Sequence, residues 1–75
     1  MYPVYELSDG VQKASGAFTV LLTTGGHTTA LELAQLIATR DQSTTYVWYR
    51  PALTLVLLMA TVSPDGTVTH CERNY

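Results

Sequence analysis

Residues 28–41 read TTALELAQLIATRD, and the fold turns on this stretch because it has the helical period that the rest of the chain lacks. Thr29 and Glu32 stand at capping-box spacing, which predicts that the Thr hydroxyl accepts from an early backbone N–H while the Glu reaches back. From Ala30 onward there is no Gly or Pro, and Ala, Leu, Glu, Gln and Ile are good or acceptable helix formers. Ala30, Leu33, Ala34 and Ile37 fall on one face, with Leu31 and Leu36 widening it. Glu32, Gln35 and Thr39 share the opposite face. The pattern predicts a helix buried over more than half its circumference. A dozen helical residues span roughly 18 Å, about the length of a five- or six-residue strand, so the helix is sized to lie on a small sheet.

Upstream, Gly25-Gly26 breaks the chain just before the helix, and Ala17 to Thr23 (AFTVLLT) has the β-branched and aromatic content of a strand. Val11 to Ser15 fits either a short helical turn or a poor strand, and Ser8-Asp9-Gly10 is a turn signal. Tyr2 to Leu7 alternates as a strand, with Pro3 arguing for the sheet edge. Downstream, Asp41-Gln42-Ser43 is loop-like. Thr45 to Arg50 (TYVWYR) is a strand that Pro51 should end, because proline brings no N–H to the ladder. Leu53 to Val62 is the most apolar strand, and Ser63-Pro64-Asp65-Gly66 has the order of a type I hairpin turn. Thr67 to Arg73 returns as an alternating strand. The fold class is α+β: a single domain, 1–75, with one helix on a small, mostly antiparallel sheet in the order β-(turn)-β-α-β-β-β.

Leu53 to Val62 breaks the rule for an antiparallel sheet with one wet face, which should alternate apolar and polar residues. Thr54, Val56, Leu58, Ala60 and Val62 fall on one side by parity, and Leu53, Leu55, Leu57 and Met59 on the other. One helix covers one face. The second therefore expects the N-terminal segment, a second copy or a partner over it.

The composition limits the function. With 47% hydrophobic and 13% charged residues the chain is a folded one. Four Lys/Arg against six Asp/Glu leave a net charge of −2, too weak a field for a nucleic-acid binder or a DNA mimic. The single cysteine, Cys71, forms no internal disulfide, and the N-terminus has neither the basic nor the apolar part of a secretory signal, so a reducing cytoplasm is expected. The apolar run from 53 to 62 is about half the length of a membrane span.

Site chemistry is sparse. Gly25-Gly26-His27-Thr28-Thr29 precedes a helix, where backbone N–H groups favour phosphate, but it lacks the lysine and spacing of a P-loop, and a plain turn and cap explain it. His70 and Cys71 are adjacent on a strand and point apart, so they make no thiol–imidazole pair. No spacing suggests a metal site or a carboxylate pair, and no cofactor, metal or catalytic residue is expected. Tyr46, Trp48, Tyr49 and Arg50 have the residue types of interface hot spots, without the basic groove that nucleic acid needs. By parity Trp48 and Arg50 share the face away from the helix, with Tyr49 inward or at the rim. Trp48, Tyr49 and Arg50 are the expected partner-binding residues.

In size, near-neutral composition, lack of cofactor motifs and βαβββ plan, the chain resembles the small inhibitors that phages encode against bacterial defence systems, anti-CRISPR proteins among them. The resemblance implies a non-catalytic protein that covers a surface of a larger protein or nucleic-acid-guided complex in a bacterial host. A structural or regulatory homodimer, using the apolar sheet face, is the alternative. A phosphate-binding module or small enzyme comes third.

Overall fold

A computed structural model describes residues 3–9 and 20–74, apart from the side chains of 20–22 and 73–74. Its elements are β1 (Val4–Ser8), β2 (Val20–Thr24), α1 (His27–Asp41), β3 (Thr45–Ala52), β4 (Leu55–Val62) and β5 (Val68–Asn74). The strands form one sheet in the order β2-β1-β3-β4-β5, and each neighbouring pair is antiparallel. One helix on an antiparallel sheet is the architecture expected. β2 and β3 both run opposite to β1, so α1 carries the chain across β1 from one side of it to the other. The alternatives for Val11 to Ser15, and the Ala17–Thr19 part of the expected strand, lie outside the described residues.

Several local expectations are corrected, each for a physical reason. β1 is a central strand, not an edge. Pro3 precedes its first residue, so the missing N–H falls outside the ladder. The helix starts one residue earlier than expected, at His27, with Gly26 as N-cap and no side-chain capping bond. The first helical bond runs from the Ala30 N–H to the Gly26 carbonyl, at 2.9 Å. Thr29 and Glu32 therefore form no capping box. Glycine is an adequate N-cap, only a few tenths of a kcal/mol below the hydroxyl residues. At the other end Gln42 takes a left-handed conformation (φ 54°) and its N–H donates to the Ala38 carbonyl.

The buried face of α1 is narrower than the pattern suggested. Ala30, Ala34 and Ala38, spaced by four, are fully buried, with Leu31, Leu33 and Ile37 packed beside them. At 3.6 residues per turn Leu36 sits about 200° round from Ala34, and it is 65% exposed. The alanines let the helix backbone settle close to Leu7, Val47, Ala60 and Val62 on the sheet.

β3 does not stop at Pro51. The pairing of β3 with β4 shifts between Tyr49 and Ala52, so β3 holds an extra residue there and Pro51 sits in a bulge, where no ladder N–H is required. Leu53 and Thr54, assigned to the next strand by their apolar company, are instead the two-residue turn between β3 and β4.

A second bulge resolves the strand that would not alternate. Val47 pairs with Ala60, but Trp48 pairs with Leu58, so Met59 is extra. Residues before and after it exchange faces: Val56 and Leu58 pack with Trp48, whereas Ala60 and Val62 pack under the helix. β5 carries a matching irregularity, since Ala60 pairs with His70 and Leu58 with Arg73. This sets Cys71 against the Trp48 cluster while Val68 joins the helix-side core. The β4–β5 turn closes as expected, with the Gly66 N–H donating to the Ser63 carbonyl at 2.8 Å and Gly66 at φ 90°, a conformation that favours glycine. The Thr67 N–H donates to Asp65 Oδ1 at 2.9 Å, which holds that carboxyl below the usual aspartate range. Gln35 Nε2 donates to the Gly66 carbonyl at 3.1 Å and ties this turn to the helix.

Candidate functional site

Of the three residues expected to bind a partner, the fold sends each to a different task. Trp48 and Arg50 do lie on the face away from the helix, Trp48 in the cluster with Val56 and Leu58. That face is not open. Trp48 is 0% exposed, and its indole N–H donates to Ser8 Oγ at 2.8 Å in a buried hydrogen bond. A buried indole needs such an acceptor, and Ser8 on the neighbouring strand provides it. Trp48 therefore offers no surface to a partner, and the sheet needs no second molecule over this part of it.

Arg50 is engaged on two sides. Nε donates to Glu6 Oε2 at 3.0 Å, and Nη1 donates to the Leu53 carbonyl at 2.7 Å. The two side chains of the ion pair are only 20% and 13% exposed. Glu6 Oε1 is buried without a hydrogen-bond partner. Arg50 is thus a bracket joining β1, β3 and the β3–β4 turn, with its charge spent inside the fold.

Tyr49 is the residue that remains partly open, and its neighbours were missed from sequence. Register places Thr24, Tyr5, Tyr49 and Leu57 in one row across β2, β1, β3 and β4 on the helix-side face. All four are half-buried. The rings of Tyr5 and Tyr49 lie 4.9 Å apart at 39°. His27, the first residue of α1, meets Tyr5 edge-on at 5.4 Å, and its Nδ1 lies 3.2 Å from the Tyr5 hydroxyl. Burial, and then the adjacent Tyr49, push the Tyr5 phenol above its ordinary value.

The helix runs from this row toward Gly66, where Gln35 contacts the far turn. β3 and β4 run the other way past it, to Ala52 and Leu55, which pair roughly 7 Å further along the strands, at the rise of the regular strand β4. The sheet thus outruns the helix. Leu55 shares the face of Leu57 and is 40% exposed, while Leu53 in the turn is 67% exposed. The result is an aromatic and apolar shelf that ends in a leucine-bearing tip. Parity gives the Tyr49–Leu57 side of this shelf only if the Met59 bulge is known. Tyr5 and His27 had no sequence signal at all, since nothing local joins residues 22 apart.

Among the described residues, no helix is long and apolar enough to cross a membrane, and no group of three His, Cys, Asp or Glu side chains is placed to hold a metal ion. Cys71 is half-buried, with Sγ 3.8 Å from the Leu58 carbonyl. No family model, curated protein or solved structure matches this chain.

Proposed function

We propose that this protein is a small non-catalytic binder that works by covering a surface of a larger partner, and that the contact lies at the end of the domain where the sheet outruns the helix. The observation that carries this reading is the continuous row of Tyr5, Tyr49 and Leu57, extended by the 40% exposed Leu55, left half-covered beside the buried helix-side residues Leu7, Val47, Ala60 and Val62. Tyrosine brings large contact area with few rotatable bonds and a hydroxyl for orientation, which is why it is enriched at interface hot spots. The charge pattern supports a protein surface over nucleic acid: the net charge is −2 and Arg50 is already paired. The resemblance to phage-encoded inhibitors makes a nucleic-acid-guided bacterial complex the first partner to assay.

The test is affinity capture from bacterial lysate with the wild-type chain and a Tyr49→Ser chain, followed by titration of the captured species. Tyr49→Ser is expected to weaken binding by about 2 kcal/mol or more, as hot-spot truncations do. A folded Tyr49→Ser chain that binds as tightly as wild type would overturn the reading.

A further inference from the structure

β5 (Val68–Asn74) is the outer strand on one side of the sheet, and among the described residues only β4 pairs with it. Its other row of backbone N–H and C=O groups faces outward, which makes it a template for a further strand. Edges that must stay single are commonly guarded by Lys or Pro, and β5 contains neither. Side chains alternate along it. Val68 and His70 pair with Val62 and Ala60 of the helix-side core, while Cys71 packs with the Trp48 cluster and Arg73 pairs with Leu58 of that cluster. Glu72 therefore shares the helix-side face with His70, and both side chains are exposed.

The order of charges on this edge is self-complementary. A two-fold axis normal to the sheet joins two such edges antiparallel and keeps each face on its own side, so residues opposed across it share parity. Cys71 is the midpoint of β5, and an axis there pairs the whole strand. In that register His70 of each copy stands opposite Glu72 of the other, and Thr69 opposite Arg73. An axis one residue away pairs less of the strand and sets His70 against His70 or Glu72 against Glu72. Unlike charges directly opposed across a ladder stabilise it and like charges oppose it. An imidazole N–H donates to a carboxylate whether or not the ring is charged. The other edge, β2 (VLLTT), is shorter and carries no charged residue, so no charge fixes a register there.

We propose that β5 is the contact of a homodimer: two copies of this chain pair β5 to β5, antiparallel about Cys71, and their two sheets become one. The main-chain ladder supplies the attraction, and the two His70–Glu72 pairs select the register. A net charge of only −2 on each copy opposes the approach little. The dimer is independent of the binding reading above, since Tyr49 lies on β3, two strands in from this edge.

Sedimentation equilibrium on the full chain is expected to show a monomer–dimer equilibrium. His70→Glu opposes two carboxylates at both sites and is expected to raise the dissociation constant about tenfold or more. Adding Glu72→Lys to that chain restores two unlike pairs in this register alone, and is expected to bring the constant back to within about threefold of wild type. An axis at residue 70 or 72 would instead set like charges against each other in the double variant. Both positions are exposed, so the urea midpoint of each variant is expected to stay near that of wild type. A monomer at every concentration, a dimer indifferent to His70→Glu, or a double variant no better than the single one would each overturn the proposal. Amide exchange on the wild-type chain needs no variant. Protection is expected to rise with concentration at alternate residues of β5, and a rise at β2 instead, or at neither edge, would overturn the proposal as well.

Discussion

The two faces of the sheet are packed by different means. Under α1 the filling is small and smooth: three alanines of the helix rest on Leu7, Val47, Ala60 and Val62. On the other side it is bulky and polar-assisted: Trp48 packs on Val56 and Leu58, its N–H is held by Ser8, and the Glu6–Arg50 pair lies alongside. The small-residue face achieves close approach of two backbones, where any added volume is felt. The other face depends on one large side chain and one correctly placed acceptor. Both fillings draw on the same four even-numbered residues of β4, shared out by the bulge at Met59.

The comparison breaks most completely if that bulge is removed. Deleting Met59 would turn either Val56 and Leu58 toward the helix or Ala60 and Val62 away from it. One-residue register changes move a whole strand's side chains to the wrong face, so the variant is expected to lose its cooperative unfolding transition. A variant that melts like wild type would show that β4 tolerates both alternations.

Next in size is Trp48→Ala, expected to cost about 3–5 kcal/mol, the range for a large buried aromatic. Denaturation in urea measures it. A loss under about 1 kcal/mol would mean that this face is not a core and would return Trp48 to the surface role that its residue type suggested. Ala34→Leu probes the opposite face, where the added volume should cost about 1–3 kcal/mol through overpacking. A neutral or stabilising result in the same assay would show slack between helix and sheet, and the distinction between a tight face and a bulky one would fail.

Several features were legible in the residues because they depend on near neighbours. The helix between Gly26 and Gln42, the Ser63–Gly66 turn and the β-rich segments on either side all follow from propensity, period and turn chemistry within a few positions. Parity within Thr45–Arg50 was enough to separate Val47 and Tyr49 from Trp48 and Arg50. The candidate site was much less legible. Tyr49 is part of it, whereas Trp48 is core and Arg50 a brace, and Tyr5, His27, Leu53, Leu55 and Leu57 came only with the fold.

What the sequence determined by itself was the class of architecture, because helical period and strand alternation are local properties. The tertiary structure decided everything that depended on pairing. Residues 55–60 are apolar at every position, so alternation carries no information there, and only the pairing of Trp48 with Leu58 and Val47 with Ala60 shows where the faces switch. The same is true of Trp48. Its residue type suits an interface and a core equally well, and the choice fell to Ser8, forty positions away, which supplies the acceptor that lets an indole be buried.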